Sequence, residues 1–314
     1  MIRVLRRLVA TGAIVSAALS LSLPSQALPV GAYHILPLPQ YYRETGLKPP
    51  GGGDGPMFYY GGSVFESVKV VSVIWGSTVS QQTITQIPLF STAIVNSTYV
   101  DQLSPQYDTF KRGVNHHKGT KQHIARGSFL GQIQITPHNG SLSITDADIQ
   151  KELAYQIKHG VLPLNDLDTL YMIYFPAEVT IKLGNLNSCQ QFGAYHFAKN
   201  DTKLSNNNLF YTVEPECGAG FDFLTFAASH EFVEATTDNV PTPGRVPDFP
   251  QAWNDAHGFE AADLCGDAAT LSDGTNSWTV AQYYLNTIEA CATGDYQSPR
   301  LRGGRSSAPS PPRS

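Results

Sequence analysis

Apolar positions recur along this chain in two periods, and their alternation predicts a mixed α/β fold. Val68 to Trp75 is β-branched and apolar on alternate faces or both, the pattern of a central strand, and Gln81 to Val95 behind it suits a helix. Phe129 to Ile135 and the buried run Leu170 to Phe175 are further strands. Ala194 to Ala198 and Leu209 to Val213 are shorter ones, joined by the polar loop from Asn200 to Asn208. Ile149, Leu153 and Ile157 recur at four-residue spacing behind Thr145. Asp146 and Asp148 lie in the first turn, where the helix dipole stabilises anions, so a helix capped by Thr145 follows. Phe221 to Thr237 is a third helix, with Phe223, Phe226, Ala227 and Val233 as its buried stripe. Together these elements predict one twisted mixed sheet with flanking helices, an α/β (α+β) arrangement in one main domain over residues 58–297.

The ends break the pattern. Arg3, Arg6 and Arg7 precede an apolar run from Leu8 to about Leu23, which stops at Pro24 before the small-residue site Ser25-Gln26-Ala27. That order predicts a signal peptide over residues 1–27, cleaved after Ala27, rather than an uncleaved anchor, because no charged stop-transfer flank follows. Arg6-Arg7 alone is a weak twin-arginine signal. Residues 28–57 are rich in Pro and Gly and show neither period, so an extended arm is expected. Residues 298–314 hold too few apolar side chains to offset the entropy of ordering, which predicts a disordered tail.

Composition narrows the partners. A formal net charge of −5, with 15% charged residues, leaves no footprint for nucleic acid or an anionic membrane. A secreted or extracellular monomer acting on a peptide or protein is the expectation, with a periplasmic or wall location as a variant. Cys189, Cys217, Cys265 and Cys291 are an even set in an exported chain, hence two disulfides. Three pairings are possible. The sequential one, Cys189 with Cys217 and Cys265 with Cys291, is favoured because each closes a modest loop; no Cys-x-x-Cys pair suggests a zinc site instead.

The chemistry concentrates on His230-Glu231-Phe232-Val233-Glu234. Residues four apart share a helix face, so His230 and Glu234 can point at one ion, with Glu231 beside them to take a proton from activated water. This is the H-E-x-x-H zinc helix with a carboxylate in place of the second histidine, a ligand that zinc accepts. The competing reading is a solvated helix face with an ion pair. Downstream, Glu260 is the first choice for a third ligand and Asp263 the second; whichever does not ligate can orient His230 from outside. Acids that only cap a turn beside a disulfide are the alternative. His257 and Tyr284 are candidate oxyanion donors. His116, His117 and His123 sit among Lys111, Arg112, Lys118, Lys121 and Arg126, which disfavour a bound cation, so an exposed basic loop is expected. His196, on a short strand, reads as a satisfied buried histidine. Three sequons, at Asn96, Asn139 and Asn200, matter only in a glycosylating host.

Several landmarks, in order across residues 60–291, resemble the exordium or phosphate-induced protein family of plant cell walls, which has bacterial members. They are Tyr60-Gly61-Gly62-Ser63-Val64, Val73-Ile74-Trp75-Gly76, Leu142 to Ile149, Ser229 to Asp238, and Glu260-Ala261-Ala262-Asp263-Leu264-Cys265. Asn239, where the family usually has proline, the Pro-rich insert Val240 to Pro250 and the basic histidine loop depart from it. The resemblance implies an extracellular place and no mechanism. The element order before His230 is also similar to zinc peptidase domains, which makes a zincin-like fold the expectation. The leading expectation is therefore a secreted Zn²⁺ hydrolase, most simply a metallopeptidase, with His230, Glu234 and Glu260 or Asp263 as ligands and Glu231 as base. A glycan deacetylase would use the same site, and a non-catalytic wall-associated protein is the alternative.

Overall fold

The structure is a computed structural model that describes residues 34–46, 55–200, 208–241, 247–292 and 294–299. The expected signal peptide and the tail beyond Pro299 lie outside the described residues. Strands β1 (His34–Pro37), β2 (Ser67–Trp75), β3 (Ala125–Ile135), β4 (Thr169–Phe175), β5 (Phe192–Asn200) and β6 (Asn208–Pro215) make the main sheet, in the order β1-β5-β6-β4-β2-β3. The run β3, β2, β4, β6 is parallel, and β5 pairs antiparallel with both β6 and β1. The chain is thus mixed α/β with one main domain, and each strand expected from its apolar pattern is present.

Helices α2 (Gln81–Val95), α3 (Asp146–Lys158) and α4 (Phe221–Thr237) flank the sheet. Thr145 caps α3 through a capping box with Asp148, and Ile149, Leu153 and Ile157 are all buried, as their spacing predicts. Side chains alternate across a strand, so each strand feeds two cores. Val71, Val73, Tyr171 and Ile173 pack with α3 on one face. Val70, Ile74, Leu170, Met172 and Phe210 pack on the other with Phe90 and Ile94 of α2 and with Phe232 and Val233 of α4.

Two expectations change. The stripe assigned to α4 is too narrow: Phe223 and Phe226 are half-buried, whereas every residue from Ala227 to Thr237 is buried. The helix is enclosed because its far side meets the hairpin of β7 (Ala268–Ser272) and β8 (Ser277–Ala281), where Ser229 Oγ accepts the Ala281 N–H at 2.8 Å. Residues 34–46 of the expected arm are also ordered structure: β1 extends the sheet and is followed by α1 (Pro39–Thr45). Pairing with β5 supplies the backbone partners that local periodicity did not announce. Among the described residues, no helix is long and apolar enough to cross a membrane.

Candidate metal centre

The site forms between the edge of the sheet nearest β1 and the buried half of α4. Strand register sets its floor. His34 of β1 lies directly opposite His196 of β5, their rings 6.2 Å apart, and Thr212 of β6 lies opposite His196 on the other side. Directly paired residues share a face, and Glu214, two positions after Thr212, shares it as well.

Helix geometry supplies the roof. His230 and Glu234, one turn apart on α4, come within 3.0 Å at Nε2 and Oε1, and Glu231 Oε2 lies 3.2 Å from His196 Nδ1. The second oxygen of Glu234 faces the other way, 3.8 Å from His196 Nδ1. Gly220 starts this helix at φ 91°, a left-handed conformation that a side chain would strain.

The loop after Asn254 closes the third side. Glu260 places Oε1 3.4 Å from His196 Nε2 and Oε2 2.8 Å from His34 Nδ1. Asp263 reaches His230 Nε2 at 3.6 Å and donates its backbone N–H to Glu234 Oε1 at 3.1 Å. Of the two candidate third ligands, Asp263 therefore accompanies His230, while Glu260 accompanies His196 and His34. A single turn, not a helix, puts them there: Ala261–Leu264 is a turn in which Asp263 accepts the Glu260 N–H at 3.2 Å. Cys265, next in the chain, is bonded to Cys291, and Cys189 is bonded to Cys217, the sequential pairing.

The site is buried. His196, His230, Glu214, Glu231, Glu234 and Glu260 are at most 2% exposed, with His34 and Asp263 at the more open end. Among the described residues, both oxygens of Glu214 and of Glu260, one oxygen each of Glu231 and Glu234, and both ring nitrogens of His230 make no hydrogen bond. Close approach without hydrogen-bond angles is what ligand atoms facing a common point show, and an unpaired buried carboxylate is otherwise costly. His230, Glu231 and Glu234 offer ligand atoms within 4.8 Å of one another, and so do His196, Glu234 and Glu260, and His34, Glu260 and Asp263. Two bonds of about 2 Å at a tetrahedral angle put ligand atoms roughly 3.3 Å apart, and Glu234 and Asp263, 3.0 and 3.6 Å from His230 Nε2, stand at spacings of that size.

Without an ion, the groups perturb one another strongly. Burial raises the carboxyls of Glu214, Glu231 and Glu234 above their usual range, Glu231 adding to the shift at Glu214 and Asp263 to that at Glu234. Burial works against the charged form of His196 and His230, but neighbouring carboxylates outweigh it and hold both well above the ordinary histidine range. Burial likewise opposes the charge on Glu260, and His34 and His196 reverse it to about 2. Asp238 closes the outer layer: burial lifts it to about 7, it accepts the Ala252 N–H at 2.8 Å, and its carbonyl lies 3.2 Å from His196 Nε2.

Other expectations resolve differently. His257 is 74% exposed and pairs with Asp255 at 3.3 Å, so it takes no part in the buried cluster. The Tyr284 side chain packs in the apolar core and beside Gly55, not against the site acids. Neither is placed as an oxyanion donor. The basic histidine loop is exposed as expected, with His123 paired to Asp108 at 2.7 Å and His117 stacked on Phe249. His196 is buried and partnered, but by the site's own acids, so it belongs to the candidate centre and not to the general core. His34 and Glu214 were not among the expected site residues. Glu214 left a trace, as an acid closing an apolar parallel strand; His34 left none beyond the short apolar pair that follows it.

No protein-family model, curated protein or solved structure matches the chain.

Proposed function

We propose that the chain is an exported zinc-dependent hydrolase acting on amide bonds of peptides, with His230, Glu234 and Asp263 as the ligand set around α4 and Glu231 as its base. One observation carries this reading: Glu231 has one oxygen held by His196 and the other without a hydrogen bond, in a buried group with His230 and Glu234. A bound zinc ion supplies an electrophile and acidifies water. The protein's own part is to fix that base. His196 orients Glu231, and the Asp263 N–H orients Glu234, so neither carboxylate must reorganise as a proton is taken. Two disulfides suit an oxidising compartment and support export.

The test is Glu231→Gln, which keeps the shape and removes the base. It is expected to retain zinc and to lower peptide turnover by about 10²–10⁴-fold, the usual contribution of a positioned base. Parent-like cleavage by this variant would refute the assignment. Complete burial of Glu231, Glu234 and Glu260 favours a second reading, a closed structural ion in an exordium-like wall protein. Under that reading, stripping the metal lowers the melting temperature of a chain with no hydrolytic activity to lose.

A further inference from the structure

The ligand atoms of this centre do not converge on one point. Glu234 turns Oε1 toward His230 and Oε2 toward His196, the arrangement of a carboxylate that spans two cations. On the His230 side stands Asp263 and on the His196 side Glu260, 3.4 Å from His196 Nε2, while Glu231 lies between them, grouped with His230 and with Oε2 3.2 Å from His196 Nδ1. His34, 2.8 Å from the far oxygen of Glu260, holds that carboxylate from outside. Two three-residue groups, His230 with Glu231 and Glu234, and His196 with Glu234 and Glu260, share Glu234 as their common member.

Charge balance points the same way. Glu231, Glu234, Glu260 and Asp263 carry four negative charges when ionised, and imidazoles that bind a cation are neutral. Glu214 and Asp238 add to the buried acids around them, and each divalent ion bound among these side chains offsets two carboxylates. The second position is also the place where Glu260, at 0% exposure, turns Oε1 toward His196 and Oε2 toward His34.

We propose that the centre holds two divalent cations bridged by Glu234, the second bound by His196 and Glu260 with His34 orienting Glu260. The inference rests on the hydrolase reading for the first position and adds the second. Two ions about 3.5–4 Å apart clamp the attacking and leaving oxygens of a displacement, so the addition deepens the chemistry assigned to the site.

The experiment uses the purified full chain, stripped with a chelator, reloaded with Zn²⁺ and freed of excess, with zinc measured by elemental analysis. Two zinc ions per chain are expected. One per chain overturns the bridged pair and leaves the hydrolase reading standing, and none overturns both. Glu260→Gln is expected to lose one ion and keep the other, whereas Glu234→Gln, which disturbs both positions, falls below one. A Glu260→Gln chain that still holds two ions contradicts the assignment. Because a buried variant can fail to fold, the unaltered chain is also loaded with Mn²⁺ and examined by electron paramagnetic resonance. A spin-coupled signal at two Mn²⁺ per chain is expected; two uncoupled Mn²⁺ signals at that loading would exclude a shared ligand.

Discussion

The two faces of the sheet treat a buried acid in opposite ways. On the α3 face, Asp146 is 3% exposed and its Oδ1 accepts from Tyr195 Oη at 2.7 Å and from Tyr211 Oη at 2.6 Å, while Gln150 donates to its other oxygen. On the α4 face, Glu214, Glu234 and Glu260 are equally buried, yet most of their oxygens meet no donor among the described residues. The same fold, within two strands' width, both satisfies a buried carboxylate with hydroxyls and leaves others facing imidazoles. Unmet acids beside histidines are therefore a property of one site and not of the whole interior, and a cation is the partner proposed for them.

The contrast can be broken from either side. The largest effect is expected from His230→Ala, which removes a ligand of the first position and should abolish peptide cleavage together with the zinc ion held there, read by a turnover assay and elemental analysis. Leu153→Ala on the opposite face should lower unfolding free energy by about 2–5 kcal/mol in denaturant melts while leaving bound zinc unchanged, because it empties core volume far from the cluster. Next, replacing Cys265 and Cys291 together by serine frees the loop that carries Glu260 and Asp263. A loss of about 3 kcal/mol is expected, with weaker zinc affinity, since this disulfide closes a loop of 26 residues. Thr145→Ala should cost about 1 kcal/mol through the lost cap of α3 and leave zinc binding as it was.

Acid sharpens the same comparison. In the metal-free chain, burial opposes protonation of His196 and His230, but nearby carboxylates hold both pKa values above the ordinary range, and burial keeps Glu234 protonated further up the scale than usual. These protons must leave before a cation binds, so affinity rises with pH and falls as pH drops. The change is about tenfold per pH unit for each proton released, measurable by chelator competition at two pH values. The α3 face, with its acid bound to hydroxyls, should show no zinc dependence across that range.

Much of the fold was legible because its signals are local. Val68 to Trp75 and Leu170 to Phe175 are apolar on both faces since both lie inside a sheet covered on each side, and the Thr145–Asp148 capping box is written within four residues. On the helix, His230, Glu231 and Glu234 could be found because their grouping depends only on the 3.6-residue turn. The rest of the centre depends on strand register. His34 comes from a Pro- and Gly-rich stretch without period, and it joins the site only because β1 pairs with β5 opposite His196. His196 has the alternation of any inward strand position, which does not distinguish a core histidine from one facing carboxylates. His257 and Tyr284 were candidates by side-chain type alone, which says nothing about which way a loop side chain turns.

An imidazole and a carboxylate one turn apart on α4 are proposed to share a cation with a carboxylate of the loop behind them. Crystals of the zinc-loaded chain, measured on both sides of the zinc absorption edge, test it most directly. An anomalous peak is expected about 2.0–2.2 Å from a His230 ring nitrogen and from Glu234 and Asp263 oxygens. A zinc-replete crystal with no anomalous peak among these side chains, or with zinc bound only at the exposed histidines, would contradict it.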